Sequence, residues 1–280
     1  MHRASCLCGD VVWEVEGRLD MMTHCHCSRC RKTHGALFAT YAAAPVETFR
    51  LRGAESIKRW ASGDGARCFC GRCGSVVPGD ALATFAFMPA GNFEGDPGAR
   101  PLAHIFVGSK ASFYEIPDDL PRFDSYPPGI EAHTLPDREP LDPPGRPRGS
   151  CLCGAVTYVL EGEPLRRRFC HCSRCRKQCS AAHAANLVTR ADGVRFTRGD
   201  QELASYKVPD AQHFTQVFCR HCGSNMPRID RTRDMAIVPS GGLDDDPGRA
   251  VEAHIFVGSK APWFMIADAL PQFSEYPPSA

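Results

Sequence analysis

Five motifs occur in this chain twice, in the same order. "SCLCGDVVWEVEG" from Ser5 returns as "SCLCGAVTYVLEG" from Ser150, and "CHCSRCRK" from Cys25 returns from Cys170. "FCGRCGS" from Phe69 pairs with "FCRHCGS" from Phe218, and "AHIFVGSKASFYEI" from Ala103 pairs with "AHIFVGSKAPWFMI" from Ala253. "LPRFDSYPP" from Leu120 returns as "LPQFSEYPP" from Leu270. Such self-similarity means one structural unit built twice. The expected units are residues 1–128 and 149–280, each of a normal domain size, joined by a proline- and charge-rich linker over 129–148. The second copy carries a small insertion between its second and third motifs.

Within each unit the apolar residues alternate. Val11, Trp13 and Val15 fall on one face of a strand, and Val156, Tyr158 and Leu160 repeat that face. "HIFVGSK" and "MAIVP" read as further short strands. Helical periodicity is weak, with one short helical turn expected after each CHCSRC. The expected fold is mostly β, its sheets held together by metal.

Metal enters through the cysteines, of which there are 16 in 280 residues. No run of about 18 apolar residues suggests a membrane span, and the first residues carry no apolar stretch of signal-peptide length. The reading is therefore thiolate ligands in a cytoplasmic protein, since close C-x-C and C-x-x-C spacings suit metals better than framework disulfides. Net charge is +1, from 33 basic and 32 acidic residues, which recommends neither nucleic acid nor an acidic membrane as partner.

Each unit offers two kinds of cluster. Cys6, Cys8, Cys70 and Cys73, and likewise Cys151, Cys153, Cys219 and Cys222, make two-plus-two thiolate knuckles, the pattern of closed structural zinc. Cys25, Cys27 and Cys30, with Cys170, Cys172 and Cys175, supply three ligands and leave the fourth position open, as catalytic zinc sites do. That makes four zinc ions per chain, two per unit. A closed alternative would recruit His24, His26, His34 or Cys179 as fourth ligand, but His24 and His34 have no counterpart in the second copy, where Phe169 and Cys179 stand. Three thiolates make the centre formally anionic. It is then poor at generating hydroxide from water and better suited to holding an exchangeable external thiolate.

These motifs resemble the glutathione-dependent formaldehyde-activating enzyme family, which includes centromere protein V. The resemblance rests on C-x-C-G, CHCxxCRK, F-C-x-x-C-G-S and H-I-F-V-x-S-K-A-x-W, and covers nearly everything but the linker. It implies an Mss4-like fold of twisted sheets in tandem, a structural zinc at the two-plus-two cysteines, a glutathione-accessible zinc at Cys25, Cys27, Cys30, Cys170, Cys172 and Cys175, and carbon–sulfur lyase-type chemistry joining or separating a thiol and an aldehyde. The sequence departs from the pattern at Phe113, where the second copy has Trp263, and at Ser180, where the first has Gly35.

Beside the open clusters stand Arg29, Arg31 and Lys32, and Arg174, Arg176 and Lys177. They are candidates for binding glutathione carboxylates, or are plain solvated surface. His104 and His254 are proton carriers or satisfied strand histidines. "RRR" at Arg166–Arg168 is a weak anion signal, and Lys110 and Lys260 read as strand-edge protection. Three functions compete: a zinc-dependent carbon–sulfur lyase acting on small thiols and aldehydes, a non-catalytic zinc-stabilised module for a protein or nucleic acid, and thiol or metal buffering. The binding module would show a basic tail or stripe, and none is present. The two units are expected to act as a pseudo-dimer.

Overall fold

The computed structural model describes residues 1–63, 65–130 and 134–278. Each repeat builds the same set of sheets, and among the described residues the only α-helices are α1 (Ser28–His34) and α2 (Ser173–Cys179). A three-stranded antiparallel sheet joins His2–Ser5, Val12–Val15 and Phe49–Arg52, and its twin joins Arg148–Ser150, Thr157–Leu160 and Val194–Arg198. The alternation predicted there is met in the first copy, with Val11, Trp13 and Val15 buried; in the second Val156, Tyr158 and Leu160 are buried but Thr157 and Val159 between them are buried as well, so both faces of that strand are covered.

A five-stranded mixed sheet in each repeat contains Met21–Cys25 or its counterpart Arg166–Cys170 as an inner strand. Its antiparallel neighbours are Ala39–Pro45 and Ala184–Thr189, and its parallel neighbours are His104–Ile105 and Ala253–Ile255. A hairpin completes each repeat: Ile57–Ser62 with Gly65–Cys70, and Leu203–Lys207 with Thr215–Cys219. The "MAIVP" strand is present as Met235–Pro239. "HIFVGSK" is a strand only at its start, because Phe106 and Phe256 take left-handed backbone (φ 58 in both) and a 3-10 turn follows. That backbone costs a non-glycine residue about 1–3 kcal/mol. Packing of each ring against a tyrosine, Phe106 on Tyr126 and Phe256 on Tyr276, offsets it. Lys110 and Lys260 follow these turns and donate to the carbonyls of Tyr114 and Phe264, so they do not guard a strand edge.

The repeats are not two beads on a string. One core holds Trp13, Met22 and Phe93 of the first repeat together with Phe169, Ala185 and Trp263 of the second. Each helix enters the other repeat. Lys32 on α1 reaches Asp244 at 2.6 Å and donates to Ser150 Oγ at 2.9 Å. Lys177 on α2 makes the symmetry-matched contacts, to Glu94 at 3.0 Å and Ser5 Oγ at 2.6 Å. The backbones meet so closely that a Cβ on Gly91 would stand 2.3 Å from Ala181 N, and one on Gly241 would stand 2.2 Å from Ala36 O. Phe113 accepts the Arg167 guanidinium over its ring at 4.8 Å, while Trp263 is buried in the shared core.

Residues 134–147 of the linker carry no helix or strand, and Arg148 already belongs to a strand of the second repeat. Linker residues 131–133 lie outside the described residues. Among the described residues no helix is long and apolar enough to cross a membrane.

Candidate metal centres and a cavity above one of them

The two-plus-two clusters form where the turn after the first strand meets the knuckle closing the hairpin. Cys6 Sγ lies 3.4 Å from Cys8 Sγ, which lies 3.6 Å from Cys70 Sγ. The second copy gives 3.4 Å for Cys151–Cys153 and 3.7 Å for Cys153–Cys219. Sulfurs around one tetrahedral zinc would be about 3.8 Å apart, given Zn–S bonds of about 2.3 Å. The backbone N–H groups of Val11 and Val156 each donate to a cluster sulfur, Cys6 and Cys151, at 3.3 Å. Hydrogen bonds from neighbouring thiols drive Cys73 and Cys222 far below the usual thiol range and push Cys8 and Cys151 far above it. Four thiols this close cannot all lose their protons unless a cation replaces them, which is the condition a metal satisfies.

The three-cysteine clusters form where a central strand runs into a helix. Cys25 ends its strand, Cys27 caps α1 by accepting from Cys30 N at 3.3 Å, and Cys30 sits in the first turn. Cys170, Cys172 and Cys175 repeat this, with Cys175 N donating to Cys172 Sγ at 3.4 Å. Hydrogen bonds from Cys170 and Cys175 pull Cys172 down to about 3. In each trio the sulfurs lie within 4.8 Å of one another, and among the described residues no fourth histidine, cysteine or carboxylate joins them.

The candidate fourth ligands are committed elsewhere. His24 Nδ1 pairs with Thr40 Oγ1 at 2.8 Å. His34 donates from Nδ1 to Cys179 O at 2.7 Å, leaving Nε2 to accept from Tyr41 Oη at 2.9 Å. Cys179 Sγ faces the backbone oxygen of His183 at 3.5 Å and is buried. His26 donates from Nε2 to His104 Nδ1 at 2.8 Å, and His104 donates from Nε2 to Asp118 at 2.9 Å. His171, His254 and Asp268 form the same chain at 2.8 and 3.0 Å. His104 and His254 are therefore buried and hydrogen-bonded on both ring nitrogens.

Above the second-repeat trio opens a cavity of about 670 Å³, within the span of small-molecule sites of about 300–1,000 Å³. Its floor includes Cys170, Cys172 and Cys175, and its walls carry Arg166, Arg168, Arg174, Arg228 and Arg233 with no acidic side chain among the lining residues. The loop between the strands of the second hairpin, including His213 and Phe214, forms one rim. This loop holds most of the insertion seen in the sequence.

The family model for the glutathione-dependent formaldehyde-activating enzyme matches residues 1–109 and 146–259, taking in all four clusters. The chain belongs to that family. A crystal structure of a Rhodobacter sphaeroides protein is also similar, at 27% identity over 37% of this chain and 97% of its own, with a TM-score of 0.29. No curated protein matches the chain.

Of the six basic residues beside the clusters, only Arg174 lines the cavity of this family member. Lys32 and Lys177 span the interface between repeats, Arg176 donates to Gly91 O at 3.0 Å, Arg31 is buried, and Arg29 donates to Pro136 O at 3.1 Å. The arginines that do face the second trio come from elsewhere. Arg166 and Arg168 share a strand face with Cys170 by period-2 alternation, a signal present in the sequence. Arg228 and Arg233 come from a segment the motifs do not cover.

Proposed function

We propose that this chain is a zinc-dependent carbon–sulfur lyase-type enzyme that joins or separates a thiol, glutathione in the first instance, and an aldehyde such as formaldehyde. Family membership supports the substrate class. The observation that carries the reading is the arginine-walled cavity whose floor is an incomplete three-thiol cluster. Zinc at each of the four clusters, four ions per chain, fits the thiol donor sets, and at a three-thiol cluster it would supply a soft Lewis acid that keeps a fourth sulfur ionised near neutral pH.

The protein's own groups do the rest. Arg166 and Arg233 offer forked donors to the carboxylates of glutathione, Arg168 adds the guanidinium N–H groups left over from its 3.1 Å pairing with Glu252, and Arg228, held by its bond to His213 O at 2.6 Å, stiffens the rim. Seating the thiol this way turns an encounter with aldehyde into a reaction between positioned partners. The sulfur lone pair forms the S–C bond, the carbonyl π pair moves to oxygen, and oxygen takes up the proton the thiol gave up. The reverse sequence releases aldehyde. Tyr276 and His213 line the cavity and are our candidates to relay that proton. Exchange NMR on glutathione, formaldehyde and their hydroxymethyl adduct is the test. The expected result is faster interconversion with the zinc-loaded chain than in buffer, and loss of the gain in Cys172→Ser. Equal exchange with and without protein refutes the reading.

A further inference from the structure

The two three-thiol clusters have the same ligands but different surroundings. In the first repeat Arg67 NH1 donates to Cys30 Sγ at 3.7 Å. The matching residue in the second repeat is Gln216, which is buried and turned to Asn225. Positions matching the cavity arginines Arg166 and Arg168 are Met21 and Thr23 in the first repeat. The linker crosses the first helix start: Ser28 Oγ donates to Asp137 Oδ1 at 2.7 Å, Arg138 N donates back to Ser28 Oγ at 2.9 Å, and Leu135 packs on Gly63. Ser28 is 4% exposed as a result, whereas its counterpart Ser173 is exposed and lines the cavity.

Resting on the function proposed above, we infer that the clusters divide the work. The second-repeat cluster is the docking site for an anionic thiol. The first-repeat cluster is a metal centre closed to such a ligand, its excess negative charge matched by Arg67 and its approach covered by the linker. An anionic three-thiolate centre needs a compensating cation from some source. Arg67 supplies it from within the chain, so the site gains little by taking an outside ligand that adds charge. In the second repeat, among the described residues, no arginine bonds to a sulfur of the trio, and the positive charge lines the cavity wall, where it favours a carboxylate-bearing ligand entering from solvent.

The test uses the full zinc-loaded chain with two readouts. Calorimetry with glutathione should give one site per chain. The double change Arg166→Ala and Arg168→Ala should weaken it at least tenfold while 2-mercaptoethanol binds as before, and Arg67→Gln should leave glutathione binding at the second-repeat site intact. Two equivalent glutathione sites per chain, or loss of binding in Arg67→Gln but not in the double variant, overturns the division while leaving the proposed function standing. The second readout is zinc release to a chromogenic chelator, which needs no glutathione. One equivalent should leave early, and Arg67→Gln should bring a second equivalent into that phase. If wild type binds no glutathione yet releases zinc in this pattern, the division stands and the proposed function falls. Two equivalents leaving together, unaffected by Arg67→Gln, overturns the division whatever glutathione does.

Discussion

Helix α1 and helix α2 start from the same eight residues, yet α1 is buried along almost its whole length and α2 leaves Ser173 and Arg174 at the mouth of a cavity. The cluster cysteines, the Asp–His–His chains and the cross-repeat lysines are kept in both copies. What differs is the material laid over the helix starts: a linker in one copy, a longer hairpin loop in the other. Duplication here kept the candidate metal clusters and the shared core and left the approach to each cluster free to diverge. Ser180 shows the same freedom on a small scale. It takes the left-handed cap that Gly35 takes, at φ 53, with its Oγ donating to Val76 O at 3.0 Å. At Gly35 a Cβ would lie 2.7 Å from that of Asn225.

Breaking a closed cluster should have the largest effect and ignore the boundary between repeats. Structural zinc contributes roughly 10–16 kcal/mol to folding in small domains, so Cys70→Ser or Cys219→Ser should unfold or insolubilise the chain. Because one core spans both repeats, either change is expected to take down both, read by circular dichroism and soluble yield. A half-folded product would show that the repeats are energetically separate. Cys27→Ser should leave the chain folded.

The cross-repeat lysines offer a sharper contrast. Lys32 and Asp244 are 1% and 6% exposed, whereas Lys177 and Glu94 are 19% and 44% exposed. Lys32→Met strands a buried carboxylate, an effect of about 3–5 kcal/mol. Lys177→Met removes a solvent-screened pair, an effect of about 0–1 kcal/mol. Urea unfolding of the two variants should separate them clearly, and equal losses would contradict the asymmetry.

A third difference is titratable. His183 stands where the first repeat has Phe38, and burial, with His254 nearby, pushes it down to about 3. The folded state then holds fewer protons than the unfolded state between an ordinary histidine pKa of about 6.5 and about 3. Stability is therefore fully present above that window and lost as pH falls through it, at about 1.4 kcal/mol per pH unit for this one group. His183→Phe should reduce the slope of stability against pH across the window, provided zinc is held saturating in both proteins. An unchanged slope would mean His183 keeps an ordinary affinity for protons.

Repeat, strand alternation and all four clusters were legible in the sequence because ligand spacing and period 2 are local properties. Arg166 and Arg168 were half legible: their alternation with Cys170 places them on its face, but nothing in the sequence shows which face a cavity covers. The fate of Lys32 was not legible. Its neighbours in sequence are cluster residues, and its partner Asp244 lies in the other repeat, brought there only by packing of α1 on the turn at 240–242. The stops at Phe106 and Phe256 were hidden for a similar reason, since the tyrosines that hold those rings lie about 20 residues on.

The central claim is that the chain carries two complete four-thiol centres and two three-thiol centres, of which the second-repeat one leaves a position for an outside thiol. Elemental analysis of protein purified without chelator, paired with zinc X-ray absorption, tests it most directly. The account predicts four zinc ions per chain and an averaged sphere with more sulfur than three per zinc but fewer than four, rising when glutathione is added. Two zinc ions per chain, or four with a full sulfur sphere before any thiol is supplied, would contradict it.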